Sequence, residues 1–168
     1  MSDCLAAGAS GLPLPSRIVD SREVTSLLDG GLRERITRLH AISAPVVIGI
    51  AGSVAAGKST FAAALVEGLS EYQVEVVGTD GFLFPNAVLA ELQLEARKGF
   101  PESYDESAVV SFIGALHRGD ESASVPVYSH TAYDVVAGEL RVIGSPDICI
   151  IEGVNALQFF NHLDLAIY

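Results

Sequence analysis

One segment constrains the fold of this 168-residue chain more than any other. It reads Gly52-Ser53-Val54-Ala55-Ala56-Gly57-Lys58-Ser59-Thr60 and matches the pattern G-x-x-x-x-G-K-[ST]. Glycines let such a loop turn tightly, so that its backbone N–H groups converge on phosphate oxygens. The lysine adds a compact positive charge for the β- and γ-phosphates, and the serine hydroxyl suits Mg²⁺, which prefers oxygen ligands. We therefore expect the whole segment to bind ATP and Ser59 to reach the metal ion. A glycine-rich turn without a ligand is the alternative.

The residues on both sides of this loop predict the structure that such a loop needs. Val46 to Ala51 is an unbroken apolar run rich in β-branched residues, which is typical of a strand covered on both faces. Lys58 to Tyr72 has apolar residues at helical spacing, and Val74 to Gly78 is a second short apolar strand. A strand, loop, helix and strand in this order predict an α/β fold of three layers around a mostly parallel sheet, like that of P-loop NTP hydrolases.

Further elements are predicted downstream. Ser103-Tyr104-Asp105-Glu106 fits a capping box at the start of a helix, and Ile148 to Ile151 is a third buried strand. Three short extended segments lie between them, and we expect a small β-hairpin insertion with its turn at Ala137-Gly138. These segments are Val125–Val127, Thr131–Val136 and Glu139–Val142.

The two ends of the chain differ in character. Residues 1–44 are expected to form a loose N-terminal segment and a helix from Ser21 to Leu39, and residues 45–168 the P-loop domain. Leu163 to Tyr168 runs apolar to the final residue without a turn or polar tail. Because a strand in a parallel sheet is followed by a crossover, we expect the C-terminal part of the domain to be missing. A naturally short domain is the alternative.

Composition excludes several classes of protein. The formal net charge is −11 and the ten Lys and Arg residues are scattered, so no basic stripe is available for nucleic acid. The start of the chain lacks the features of a signal peptide, and the longest apolar stretch is too short and too broken to span a membrane. Cys4 and Cys149 have no metal-ligand spacing, and Cys149 lies within an apolar run. A cytoplasmic protein without nucleic-acid or membrane partners is expected.

Two acidic residues follow predicted strands. Asp80 stands after the second strand and Glu152 ends the third, which places both on the carboxyl edge of the sheet with the phosphate loop. Asp80 could act in catalysis by orienting an acceptor hydroxyl or accepting its proton, beside Lys58. Glu152 could hold Mg²⁺ with Ser59. The alternatives are a turn aspartate before Gly81 and a solvated strand-end carboxylate.

A cluster of polar and aromatic residues is unusual in so aliphatic a chain. Tyr128, His130 and Tyr133 lie within six residues of one another, with Ser129 and Asp134 beside them. Such side chains suit the recognition of a polar small molecule. The alternative for His130 is a loop histidine that is merely hydrogen-bonded, and the other three histidines are interpreted as structural.

Five ordered segments resemble those of the bacterial-type (type I) pantothenate kinases, which are P-loop kinases of the phosphoribulokinase/uridine kinase-like group. They read GIAGSVAAGKST, TDGFLFPN, KGFPESYD, PVYSHTAYDV and IIEGVNALQ. The resemblance implies that residues 45–168 are the N-terminal portion of a kinase domain that phosphorylates pantothenate with ATP and Mg²⁺. This reaction is the first step of coenzyme A synthesis. Coenzyme A is then the expected feedback inhibitor, and a homodimer of the full-length protein is compatible with the resemblance.

The resemblance also assigns roles to residues. It makes Gly52 to Ser59 the ATP loop and Asp80 the carboxylate at the acceptor hydroxyl, places Tyr128 and His130 in the pantothenate pocket, and has Glu152 assist the metal ion. Two alternatives stay open at this point. One is a related P-loop kinase for another small alcohol, such as uridine or a sugar phosphate, and the other is a truncated, non-catalytic remnant that binds a nucleotide or coenzyme A.

Overall fold

The computed structural model describes residues 31–168. The helices in this part are α1 (Arg33–Ile42), α2 (Lys58–Gly68), α3 (Asn86–Glu91) and α4 (Glu106–His117), with short 3₁₀ segments between them. The strands are β1 (Val46–Ile50), β2 (Val74–Gly78), β3 (Ser124–Ser129), β4 (Asp134–Val142), β5 (Ile148–Glu152) and β6 (Leu165–Ile167). No helix in residues 31–168 is long and apolar enough to cross a membrane.

Four strands form one parallel sheet in the order β2-β5-β1-β6. Every residue of β1 is buried, because alternate side chains enter two cores. On one face Ile48 packs with residues of α1 and α2, and on the other Val47 packs with residues of α4. Each fully buried Val, Leu or Ile side chain contributes about 1.5–3 kcal/mol relative to exposure. The predicted three-layer α/β fold with a parallel sheet is confirmed.

The predicted hairpin exists, but its turn was placed wrongly. Strands β3 and β4 pair antiparallel, and the chain reverses at residues 130–133. Ala137-Gly138 lies inside β4. Pro126 of β3 pairs with Leu140 and Tyr128 pairs with Val135, so β4 has more residues between these two pairs than β3 has. Gly138 has a φ of +73° there. A glycine with positive φ serves a strand irregularity as well as a turn, which is why the pattern misled.

Two predicted helix boundaries were also wrong. The cap of α4 is Asp105, whose carboxylate accepts from the N–H of Ala108 at 2.9 Å, and not Ser103. The Ser103 hydroxyl instead closes the 3₁₀ turn before the helix by donating to the Phe100 carbonyl at 2.7 Å. Helix α2 ends at Gly68 rather than Tyr72, because glycine is a poor helix former.

The predicted N-terminal helix lies partly outside the described residues. Its segment Ser21 to Gly30 and Cys4 fall in the part of the chain that is not described, whereas the rest corresponds to α1, which continues to Ile42. The boundary at residue 45 stays a prediction. Cys149 is fully buried in β5, as its place within an apolar run indicates, and burial raises the pKa of its thiol to about 12.

Candidate active site

The register of the sheet brings the predicted site residues to one edge. Glu152, the last residue of β5, lies opposite Ile50 of β1 on one side and Gly78 of β2 on the other. The phosphate loop begins two residues after Ile50, and Asp80 comes two residues after Gly78. In a parallel sheet these strand ends share an edge, so the loop, Asp80 and Glu152 converge there.

The phosphate loop has the backbone conformation that its glycines allow. Gly57, immediately before α2, has a φ of +82°, and Ala55 adopts a φ of +62°, which is uncommon for a residue with a Cβ. The Lys58 ammonium folds back over the loop and donates to the Ser53 carbonyl at 2.9 Å. The loop thus ends at the N-terminus of an 11-residue helix, where backbone N–H groups and the helix dipole favour an anion.

Ser59 and Glu152 are in direct contact although 93 residues separate them. The serine hydroxyl lies 2.9 Å from Oε1 and 3.0 Å from Oε2 of the glutamate. A hydroxyl and a carboxylate are oxygen donors of the kind that Mg²⁺ accepts. Within residues 31–168 no group of three or more His, Cys, Asp and Glu could hold a metal ion. The pair therefore fits Mg²⁺ that takes its remaining ligands from phosphate and water, and does not form an all-protein metal cage.

An open cleft of about 570 Å³ connects the loop with the hairpin. Among the predicted site residues, those that line it are Val54, Ala55, Lys58, Ser59, Asp80, Tyr128, His130 and Glu152. Tyr133 does not line the cleft, since it lies in the turn of the hairpin with its side chain 72% exposed. The structure thus brings four of the nine predicted loop residues, both carboxylates and two of the three cluster residues to one space.

The hairpin rests directly on the turn that carries Asp80. A Cβ added to Gly81 would lie 2.4 Å from the Pro126 carbonyl oxygen, so only a glycine permits this approach of two backbones. The rings of Tyr128 and His130 stack edge to face at 5.2 Å. Burial, and then the nearby Asp80 charge, raise the pKa of Tyr128. Tyr128 and His130 are therefore presented beside Asp80.

Two cationic residues near the cleft were missed by the sequence analysis. Arg141 of β4 lines the cleft and donates to the Val76 carbonyl at 2.7 Å and to Glu75 at 3.1 Å. Lys98 donates to the Tyr133 carbonyl and lies 5.4 Å from the ring centre of Tyr128. Lys98 could have been found from the sequence, because it begins the KGFPESYD segment. No local pattern in the sequence indicates a role for Arg141.

A parallel sheet whose first strand runs into a phosphate loop, with an antiparallel hairpin over the same edge, is the architecture of P-loop kinases. A candidate fructose transport system kinase from Silicibacter sp. TM1040 is similar in structure, with a TM-score of 0.70 and 24% identity over 85% of this chain and 72% of that one. The chain belongs to the phosphoribulokinase/uridine kinase family, which matches residues 47–168.

Curated relatives carry a more specific name. A pantothenate kinase of Chelativorans sp. (strain BNC1) is 52% identical over 123 residues, which cover 71% of this chain and 39% of that protein. A pantothenate kinase of Brucella ovis is 46% identical over 140 residues, covering 81% of this chain and 44% of that protein. The chain thus spans about two fifths of the length of these relatives.

Proposed function

We propose that the polypeptide containing these residues transfers the γ-phosphoryl group of ATP to the primary hydroxyl of pantothenate, giving 4′-phosphopantothenate for coenzyme A synthesis. The observation that carries this proposal is the shared cleft, which is lined together by residues of the phosphate loop, by Asp80, and by Tyr128 and His130. An acceptor bound against the hairpin would have its hydroxyl between Asp80 and the γ-phosphate. The names of the relatives at 46–52% identity support pantothenate as that acceptor.

Each residue has a distinct part in the proposed reaction. Gly52 to Thr60 would hold the phosphates through backbone N–H groups, with the Lys58 ammonium released from Ser53 to the β- and γ-phosphates. Ser59 and Glu152 would hold Mg²⁺, which neutralises phosphate charge when bound. Asp80 would orient the acceptor hydroxyl or take its proton during in-line transfer.

Tyr128, His130 and Tyr133 are proposed to bind the acceptor. For Tyr133, whose side chain is exposed in the turn of the hairpin, this role requires the turn to close over the cleft. The proposal also includes inhibition by coenzyme A at the nucleotide site, a homodimer of the natural polypeptide and a cytosolic location.

An ADP-release assay with the natural full-length polypeptide, ATP, Mg²⁺ and pantothenate tests the proposal. We expect turnover with pantothenate and none with uridine, and the Lys58→Ala variant serves as the inactive control because it loses phosphate contacts in ground and transition states. Turnover with uridine alone would contradict the proposal and favour a related small-alcohol kinase. Thermal stabilisation by coenzyme A without any turnover would favour a binding remnant.

A further inference from the structure

The hairpin is attached to the segment of Asp80 at a second place, besides the close approach of Gly81 to its backbone. Asn86 lies six residues after Asp80, and its side-chain Nδ2 donates to the Tyr133 carbonyl at 3.3 Å. The backbone N–H of Asn86 donates to Oδ1 of Asp134 at 2.9 Å. Asn86 therefore joins the last residue of the hairpin turn and the first residue of β4 to the segment that carries the proposed acceptor-side carboxylate.

Two neighbouring side chains complete this attachment. Lys98 donates to Oδ1 of Asn86 at 2.6 Å, so the amide of Asn86 uses its oxygen as well as its nitrogen. Oδ1 of Asp134 accepts a second bond, from the N–H of Val135 at 2.8 Å. Asn86 and Asp134 do not line the cleft. An effect of either residue on an acceptor in the cleft therefore passes through the hairpin.

The backbone of Tyr133 has a conformation that needs such an attachment. Its φ is +53°, in the left-handed region that residues with a Cβ rarely adopt. Backbone conformations of this kind persist where surrounding contacts hold them, and they cluster at functional sites. The Tyr133 carbonyl accepts from both Asn86 and Lys98. The Tyr133 side chain is exposed, so a movement of its ring towards the cleft need not break these two bonds.

The two attachments enclose the hairpin residues that line the cleft. Tyr128 and His130 follow Pro126 along β3 and the turn. The Pro126 carbonyl lies against Gly81 at the start of this enclosed part, and Asn86 holds its end. Because both attachments are made to the segment that follows the proposed acceptor-side carboxylate, they set the position of the two rings relative to that carboxylate.

We propose that Asn86 is a positioning residue for the acceptor: it holds the hairpin turn so that Tyr128 and His130 are in place before the acceptor binds. The inference rests on the proposed phosphoryl transfer by this site, but not on pantothenate as the acceptor. A hairpin that is already held loses little conformational freedom when the acceptor arrives. A released hairpin loses more, which weakens binding of the acceptor.

Three variants of the natural full-length polypeptide test this inference. Asn86→Ala removes the side-chain amide and Asp134→Ala removes the oxygen that accepts from the backbone, so the KM for the acceptor should rise about fivefold in each. Asp134→Asn keeps an acceptor oxygen and should stay within about twofold of the wild type. The KM for ATP should change by less than about twofold in all three, because the phosphate loop is untouched. Steady-state kinetics with each substrate varied in turn measure both constants.

Amide hydrogen exchange separates this role from a general loss of stability. In Asn86→Ala the hairpin turn and the start of β4 should exchange about tenfold faster, whereas β1 and β5 should exchange as in the wild type, because the turn can open without unfolding the sheet. Asn161→Ala is the matched control, since Asn161 is also exposed and lies outside the cleft. It should leave the exchange of the turn and the KM for the acceptor unchanged.

Four outcomes would overturn the inference. They are an unchanged KM for the acceptor in Asn86→Ala, an equal rise in the KM for ATP, faster exchange of β1 and β5 together with the turn, and an Asp134→Asn variant as impaired as Asp134→Ala. If the wild type phosphorylates another alcohol and not pantothenate, the proposed function fails. The same variants measured with that alcohol then still decide the role of Asn86.

Discussion

At the scale of single residues, the carboxylate of Asp80 gives the most direct test of the chemistry. Asp80→Asn keeps the size of the side chain and removes the carboxylate that is proposed to orient the acceptor hydroxyl or take its proton, so we expect ATP affinity to be unchanged and kcat to fall about 100-fold or more. Asp120→Asn is the control, because this carboxylate lies outside the cleft and only caps the turn of Ser122. Steady-state kinetics and nucleotide titration measure the two quantities, and an unchanged kcat would remove Asp80 from the reaction.

The contact between Ser59 and Glu152 predicts how the reaction depends on magnesium. Glu152→Gln keeps an oxygen near the serine hydroxyl and removes the charge that is proposed to attract Mg²⁺, so about tenfold more Mg²⁺ should be needed for half-maximal turnover. Glu67→Gln, on the exposed face of α2, should leave that concentration unchanged. A magnesium titration of the initial rate makes the comparison. If both variants need the same Mg²⁺ concentration for half-maximal turnover, Glu152 does not bind the metal ion.

At the scale of elements, the hairpin β3–β4 is held to the edge strand β2 by Arg141. Its exposed ion pair with Glu75 contributes about 0.2–1 kcal/mol. Its hydrogen bond to the Val76 carbonyl adds to this, because within residues 31–168 no further strand lies beside that edge of β2 to pair with the carbonyl. We expect Arg141→Gln to raise the KM for the acceptor about two- to fivefold and to leave the KM for ATP unchanged. Arg118→Gln, outside the cleft, is the control. Equal changes in the KM for the acceptor and the KM for ATP would contradict a role of the hairpin in acceptor binding.

These elements also show what the sequence could and could not predict. The strands β1, β2 and β5 and the loop at Gly52 were predictable because apolar runs and a glycine-lysine pattern are local signals. The position of the hairpin turn was not, because Gly138 satisfies a strand irregularity as well as a turn. Arg141 was missed for a different reason, since its significance depends on a contact between segments that are distant in the sequence.

At the scale of the whole molecule, Asp147 connects three elements at the amino ends of the parallel strands, which is the end of the sheet opposite the cleft. Its carboxylate accepts from the N–H of Gln73 at 2.8 Å, just before β2, and lies 3.3 Å from Nε2 of His40 on α1. One side chain thus joins β5, β2 and α1. The hydrogen bond to the Gln73 N–H, and then His40, hold the pKa of Asp147 below its usual value.

The sign of the pH dependence follows from that lowered pKa. Because the folded state holds the proton less tightly than the unfolded state, the contribution of Asp147 to stability is full above the unfolded pKa of about 4 and is lost as the pH falls through the folded value. Asp147→Asn keeps an acceptor for Gln73 but does not titrate. Its unfolding midpoint should therefore fall less than that of the wild type between pH 5 and pH 3, with Glu139→Gln on exposed β4 as the control. Parallel midpoint curves for wild type and Asp147→Asn, recorded by circular dichroism, would show that this carboxylate does not link folding to pH.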